Sequence, residues 1–187
     1  KLLPEQVELI SGPGCPVCVT PVSFIDEAIY LALEKGVTIC TFGDLVRVPG
    51  TKMSLAGARE QGADIHVVYS PADAEKYAGE HPDKQVTFLS VGFETTTPAS
   101  CLSVKAAKEN GLDNYSILTA NKTMPQAYEA LKGSADVFLY PGHVNAITGT
   151  RLCEALAEQG VSGVVAGFTA KELMTALAVV LVKFQEG

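Results

Sequence analysis

The sequence contains no run of basic residues. It holds 14 Lys and Arg against 21 Asp and Glu, a net charge of −7 spread without a positive cluster. Nucleic-acid binding needs clustered cations to neutralise phosphates, so that class is excluded. No signal peptide opens the chain. The longest uninterrupted apolar run, Ala176–Val182, is far short of the about 20 residues that span a bilayer. The expected location is therefore cytoplasmic, with no membrane partner. Neither a Walker pattern nor a GxGxxG is present, which leaves nucleotide binding without a motif. There is no second CxxC and no HxxxH, so a closed four-ligand zinc site is not expected.

Cysteine is sparse: Cys15, Cys18, Cys40, Cys101 and Cys153 are the five in the chain. The number is odd and three stand alone in apolar stretches, which excludes a secreted disulfide framework. Cys40, Cys101 and Cys153 are expected to act as small buried hydrophobes. Charged residues make up 19% and hydrophobic residues 47% of the chain. That balance belongs to a packed globular protein, not to a disordered one. A chain of 187 residues buries about 70% of its unfolded surface and needs no staples.

What is present is a strand–helix rhythm. Apolar runs at Val7–Ile10, Val37–Phe42, Ile65–Tyr69, Val86–Val91, Ser116–Ala120, Val137–Tyr140 and Val161–Ala166 read as strands buried on both faces. Helical patterns cover Pro21–Lys35, Ser54–Gln61, Ala72–Glu80, Pro98–Asn110, Pro125–Lys132, Asn145–Gln159 and Ala170–Gln185, several of them ending at a glycine. The fold class is α/β with parallel strands. Glu94–Pro98 is the expected hinge, dividing the chain into a first domain (1–94) and a second (95–187). A short internal echo supports two similar halves: Ser90-Val91-Gly92-Phe93 and Val165-Ala166-Gly167-Phe168 each end a strand ahead of a Thr-started helix. The last helix is apolar nearly all round, so it must be fully buried or docked on another body.

The unusual residues cluster after strands. In parallel α/β folds the crevice outside the strands' carboxyl ends is the ligand site. Gly12-Pro13-Gly14-Cys15-Pro16-Val17-Cys18 is the most informative stretch. Two thiols three positions apart close a disulfide or hold a soft metal, and a helix N-terminus favours the thiolate. Thr20 is the expected N-cap, with Pro21 in the first turn. A structural pair of cysteines in a tight turn is the alternative. Gly92-Phe93-Glu94-Thr95-Thr96-Thr97-Pro98 has the character of an anion seat, with Thr97 capping the helix and Glu94, Thr95 and Thr96 facing the ligand; plain capping is the alternative. Asp44 and Arg47 either pair with each other or fix a loop of the cleft. His143, between a glycine and a helix start, is a candidate proton donor or ligand, or else a cap. His66, within a strand, and His81, in a polar loop, are expected to be structural or solvated.

Four motifs together resemble the HypD family of nickel–iron hydrogenase maturation factors. Gly12–Pro21 is similar to the first family motif, and Thr41-Phe42-Gly43-Asp44 with Arg47-Val48-Pro49-Gly50 to the second. Gly92–Pro98 is similar to the third, and Pro141-Gly142-His143-Val144 with Val164–Phe168 to the fourth. They follow in family order and cover nearly the whole chain.

The resemblance implies two similar α/β domains facing a cleft and a scaffold on which iron with two cyanides and one carbon monoxide is assembled. It implies a HypC-like small chaperone and a HypE-like cyanide donor as partners. It also implies thiol redox near the iron at Cys15 and Cys18, with a role for His143. Glu94, Thr95 and Thr96 are expected to position the iron precursor or cyanide. The family's Cys-Gly-Thr-His segment and its cysteine-rich iron–sulfur region are not found in this sequence, which reads as the two-domain core. Two other functions fit the CxxC without the resemblance: a general thiol–disulfide oxidoreductase, and a small-ligand binding module with structural cysteines.

Overall fold

The computed structural model describes residues 3–12 and 14–186. Pro13, inside the first motif, lies outside the described residues. The elements alternate as expected for α/β: α1 (Val22–Glu34), β1 (Thr38–Thr41), a 3-10 turn (Gly43–Leu45), α2 (Leu55–Glu60), β2 (Ile65–Val67), α3 (Pro71–Glu80), β3 (Val86–Ser90), α4 (Thr97–Glu109) and β4 (Tyr115–Thr119). Then follow α5 (Met124–Ala130), β5 (Phe138–Pro141), α6 (Gly142–Thr148), α7 (Arg151–Glu158), β6 (Gly163–Ala166) and α8 (Ala170–Glu186).

The chain forms two compact units, one of Cys15–Lys122 and one that joins Thr123–Gly187 to Lys1–Gly14. The first contains a parallel sheet of order β2-β1-β3-β4. The second contains the parallel pair β5-β6. The hinge expected at residues 94–98 falls inside the first unit, because β3 and β4 pair across it over five positions from Val86↔Tyr115 to Ser90↔Thr119.

Burial on both faces explains the continuous apolar strands. In β1, Ile39 joins one core with Phe24, Ile25, Ala28, Leu45 and Leu55 from the α1 and α2 side. Its neighbour Cys40 joins the other, with Ala74 and Ala78 of α3 and Phe88. In β3, Leu89 and Phe88 divide between the same two cores. Successive strand residues point to opposite faces, so both cores are built from one run. Local signals set the helix starts. Ser70 and Asp73 form a reciprocal capping box with Pro71 in the first turn of α3, and Ser54 accepts from the Gly57 amide ahead of α2.

The amino ends of three strands are tied by one cluster. Asp64, just before β2, accepts from Thr38 Oγ1 at 2.8 Å and from Lys84 Nζ at 2.8 Å, and lies 2.7 Å from His66 Nε2. The Tyr77 hydroxyl is 3.1 Å from both Lys84 Nζ and His66 Nε2. His66 is thus structural, as expected, and His81 stacks on Tyr77 at 4.0 Å. Burial pushes the Asp64 carboxyl up, but the hydrogen bonds from Lys84, Thr38 and His66 win and hold it at about 2.

In the second unit Gly163 lies under the Tyr140 ring; a Cβ there would meet Tyr140 Cε2 at 2.2 Å. Tyr140 packs on Tyr128 and Phe138, with ring centroids 4.7 and 6.4 Å away.

Several expectations are corrected. Val7–Ile10 forms no strand: the Val7 amide turns back to Pro4 O at 3.0 Å, and Leu9 and Ile10 are exposed with no strand beside them among the described residues. The single helix expected over 145–159 is two helices, because Gly149 adopts φ +75°, a conformation that a helix cannot continue through. Cys40 is buried, but Cys101 is exposed on α4 and Cys153 is only half-buried. On α8, Leu173, Met174, Val179, Val182 and Phe184 are exposed, so full burial of that helix is not realised. No helix among the described residues is long and apolar enough to cross a membrane.

Two stability outcomes follow. Leu89 is fully buried, and Leu89→Ala is expected to lower the unfolding free energy by about 2–5 kcal/mol, read by urea denaturation. The Asp64 carboxyl is held below its unfolded value of about 3.9, so its stabilisation is present above that pH and lost as pH falls toward about 2. The stability gap between the wild type and Asp64→Asn, measured by urea at pH 7, 4 and 3, is expected to shrink as pH falls.

Candidate functional site

Helices antiparallel to the strands return each chain segment to the sheet's amino edge, so the loops that precede helices collect at the carboxyl edge. The Cys15–Cys18 turn ahead of α1, the 3-10 turn after β1 and the Gly92–Thr97 loop after β3 all stand at that edge of the first unit. Val17, between the two cysteines, packs on the core that contains Val91, as do Val48 and Ala120. This anchors the turn while leaving both thiols exposed.

The turn makes the two thiols unequal. The Cys18 amide donates to Cys15 O at 3.1 Å and approaches Cys15 Sγ at 3.3 Å. The Cys18 thiol also donates to the Cys15 sulfur. Together these hold the Cys15 thiol below its ordinary pKa, against a raising influence from the nearby Asp44 charge. The same hydrogen bond raises Cys18, which must give up the proton it shares. The arrangement is a more acidic thiol beside a thiol donor, just ahead of a 13-residue helix whose N-terminal dipole favours negative charge. Thr20 does not cap that helix. Its hydroxyl donates back to Pro16 O at 2.9 Å, and Pro21 occupies the N-cap position without a side-chain cap.

Asp44 and Arg47 are both exposed, and no ion pair joins them among the described residues. Glu94 is half-buried, and Thr95 and Thr96 are exposed. The loop's hydroxyls are partly spent: Thr97 Oγ1 donates to Phe93 O at 2.8 Å and Thr96 Oγ1 to the same carbonyl at 3.2 Å. Thr96, not Thr97, is the N-cap of α4, and it makes no side-chain capping bond. Gly92 is required by close approach, since a Cβ would lie 1.7 Å from Thr96 Oγ1.

His143 belongs to the second unit, which is described by itself. It stands exposed in the first turn of α6, where β5 ends, and its ring lies 5.0 Å from that of Phe168 at a 39° tilt. Pro141 pairs with Ala166 across β5 and β6, so the two halves of the fourth motif are neighbours. Gly167 repeats the Gly92 arrangement: a Cβ there would meet the Glu172 carboxylate within 2.4 Å. Glu172 accepts from the Thr169 amide and hydroxyl, which holds its carboxyl below the usual range and caps α8.

Sequence reasoning missed Asn121 and Phe168 as parts of these sites. Asn121 sits in the polar segment that follows the fifth apolar run, and nothing in residue type or spacing gave it a role. Among the described residues no group of three or more His, Cys, Asp or Glu is placed to hold a metal. Cys15 and Cys18 can therefore supply two soft donors and no more. A groove of about 450 Å³ between α4 and β4, lined by Val104, Leu112, Tyr115 and Ile117, carries none of the motif residues.

Comparison with known proteins adds the family. The HypD family model, described as "Hydrogenase formation hypA family", matches residues 1–187. The chain is 43% identical over 199 aligned positions to a hydrogenase maturation factor HypD of Cupriavidus necator, covering 100% of this chain and 52% of that protein. A Rhodobacter capsulatus protein of the same name is 42% identical over 192 positions, covering 100% and 51%. One from Escherichia coli is 42% identical over 179, covering 93% and 48%. The chain spans about half the length of the curated relatives it matches.

The unequal thiols give a direct test. Near neutral pH, iodoacetamide is expected to alkylate Cys15 faster than Cys18. Cys40, buried and with its thiol pushed up to about 12 by that burial and by the Asp64 charge, is expected to stay unlabelled. Removing the donor in Cys18→Ala is expected to slow labelling of Cys15, read by mass spectrometry of the tryptic peptides.

Proposed function

The chain belongs to the HypD family of hydrogenase formation proteins, and from that premise we propose that it is the part of a maturation scaffold that handles the iron dicyanide carbonyl group. The iron is cargo, passed on to the hydrogenase. Cys15 and Cys18 are its contacts on this chain, and a small HypC-like chaperone supplies further donors. A HypE-like protein supplies cyanide. Soft thiolates suit iron that carries strong-field diatomic ligands. The two thiols cycle between dithiol and disulfide. Oxidation forms one S–S bond and releases two protons and two electrons, the electrons reducing a diatomic-ligand precursor on the iron, and an external dithiol reductant returns the disulfide to the dithiol. In the first unit Glu94, Thr95 and Thr96 position the iron precursor or cyanide, and Asp44 and Arg47 shape the loop beside the thiols; His143 is the candidate proton donor or ligand of the second unit.

The single observation that carries this reading is the thiol pair: exposed, unequal in acidity, and set at a helix N-terminus on the carboxyl edge of the sheet. A purely structural CxxC would be buried or bridged. An iron–sulfur cluster does not fit the described residues, which offer no third ligand beside the two thiols, so no step is assigned to one.

The test is a pull-down of this chain with a HypC-like chaperone from cells that make the other maturation proteins, followed by iron analysis and infrared spectroscopy. Iron with cyanide and carbon monoxide stretching bands is expected in the complex, and loss of both bands with Cys15→Ala or Cys18→Ala. Bands of full intensity with both thiols replaced would sink the proposal. Insulin reduction by the chain alone would favour a general thiol–disulfide oxidoreductase instead.

A further inference from the structure

Gly92–Thr97 holds Glu94, Thr95 and Thr96, yet the loop lies between elements and has no ladder of its own. Its register is set from the neighbouring strand end. Ser90 closes β3 opposite Thr119 of β4, and the Ala120 amide continues the pairing to Ser90 O at 2.9 Å. One residue on, Asn121 turns its side chain across to β3 and α4. Its Oδ1 accepts from Ser90 Oγ at 2.6 Å and from Thr119 Oγ1 at 2.9 Å. Its Nδ2 donates to Thr97 Oγ1 at 2.8 Å. The next amide, of Lys122, donates to Gly92 O at 2.9 Å.

Proton accounting fixes the direction of every bond. The Thr97 hydroxyl spends its proton on Phe93 O, so toward Asn121 it offers only a lone pair and needs a donor. The Ser90 hydroxyl spends its proton on Asn121 Oδ1, so Ser100 Oγ, 2.7 Å away, must donate to Ser90. An amide satisfies both sides at once, with oxygen toward Ser90 and Thr119 and nitrogen toward Thr97. A carboxylate of the same shape would satisfy Ser90 and Thr119 but would set its charge against the Thr97 lone pair.

We propose that Asn121 is a positioning residue for the Gly92–Thr97 loop, clamping both ends of the segment that presents Glu94, Thr95 and Thr96. This rests on the reading that the loop faces the cargo, and the two can fail separately: the infrared bands judge the loop's role, and the loop's own spectrum judges Asn121.

The experiment is amide NMR of the Asn121→Asp variant against pH. At pH 7 the signals of Gly92 and of Thr95 to Thr97 are expected to move, while those of α1 and β2 stay in place. Below about pH 4 the introduced carboxyl group is protonated and donates to Thr97 again, so the signals are expected to return to their wild-type positions. Variant and wild type are compared at each pH, so that only the difference between the two proteins is read. Adding Thr97→Val to Asn121→Asp removes the acceptor that the protonated carboxyl group needs, so the return at low pH is expected to be lost. Unmoved loop signals at pH 7, shifts spread through α1 and β2, or no return at low pH would each overturn the proposal. If Asn121→Asp does not fold, Thr97→Val alone decides: it is expected to shift the Asn121 side-chain amide signals, and an unshifted pair overturns the proposal.

Discussion

Parallel pairing of β1 with β3, and of β3 with β4, is the constraint on which the first unit depends. Parallel strands need long connections, and here those connections are helices that cover both faces of the sheet. Two consequences follow. Every residue of β1 and β3 must be buried, which is why both strands are apolar or carry small hydroxyls. And every helix must start at the same edge, which brings together segments from residues 15, 43, 92 and 121 that lie far apart in sequence. The chemistry of the chain is gathered by topology, not by local sequence.

The two edges of that sheet have different tasks. At the amino edge, Asp64, Lys84, Thr38, His66 and Tyr77 form a satisfied polar cluster that ties strand beginnings together. At the carboxyl edge the polar groups are only partly satisfied among themselves. The thiols are exposed, Thr95 and Thr96 are exposed, and the hydroxyls that are bonded hold the backbone of their own loop. A satisfied polar cluster at the first edge and exposed thiols and hydroxyls at the second set the two edges of this unit apart.

The thiol pair shows how little local structure is needed to create chemical asymmetry. Cys15 and Cys18 are both exposed and share one turn, so bulk environment does not distinguish them. One hydrogen bond in one direction does. It lowers the pKa of the Cys15 thiol and raises that of Cys18.

Much of the chain was legible from its residues. The apolar runs at 38–41 and 86–90 are strands buried on both faces, which demands continuous hydrophobicity whatever the neighbours are; those at 65–67 and 163–166 are strands too, only partly buried. The helix ends at Gly36, Gly111 and Gly160 were legible because a left-handed residue is a local requirement. Pairing was not legible. Val7–Ile10 has the composition of a strand, but a strand exists only where another offers hydrogen bonds. Thr20 and Thr97 have the composition of caps, but their hydroxyls found nearer carbonyls at Pro16 and Phe93. The unit boundary near residue 122 and the reach of Asn121 across to Thr97 depend on which strands lie side by side. The sequence by itself determined the family, the class of fold and the presence of a close thiol pair, since these rest on residue type and short spacing. The local turn decided which thiol is the more acidic; only the tertiary structure decided which side chain holds the Gly92–Thr97 loop, because Asn121 reaches Thr97 only once β3 and β4 lie side by side.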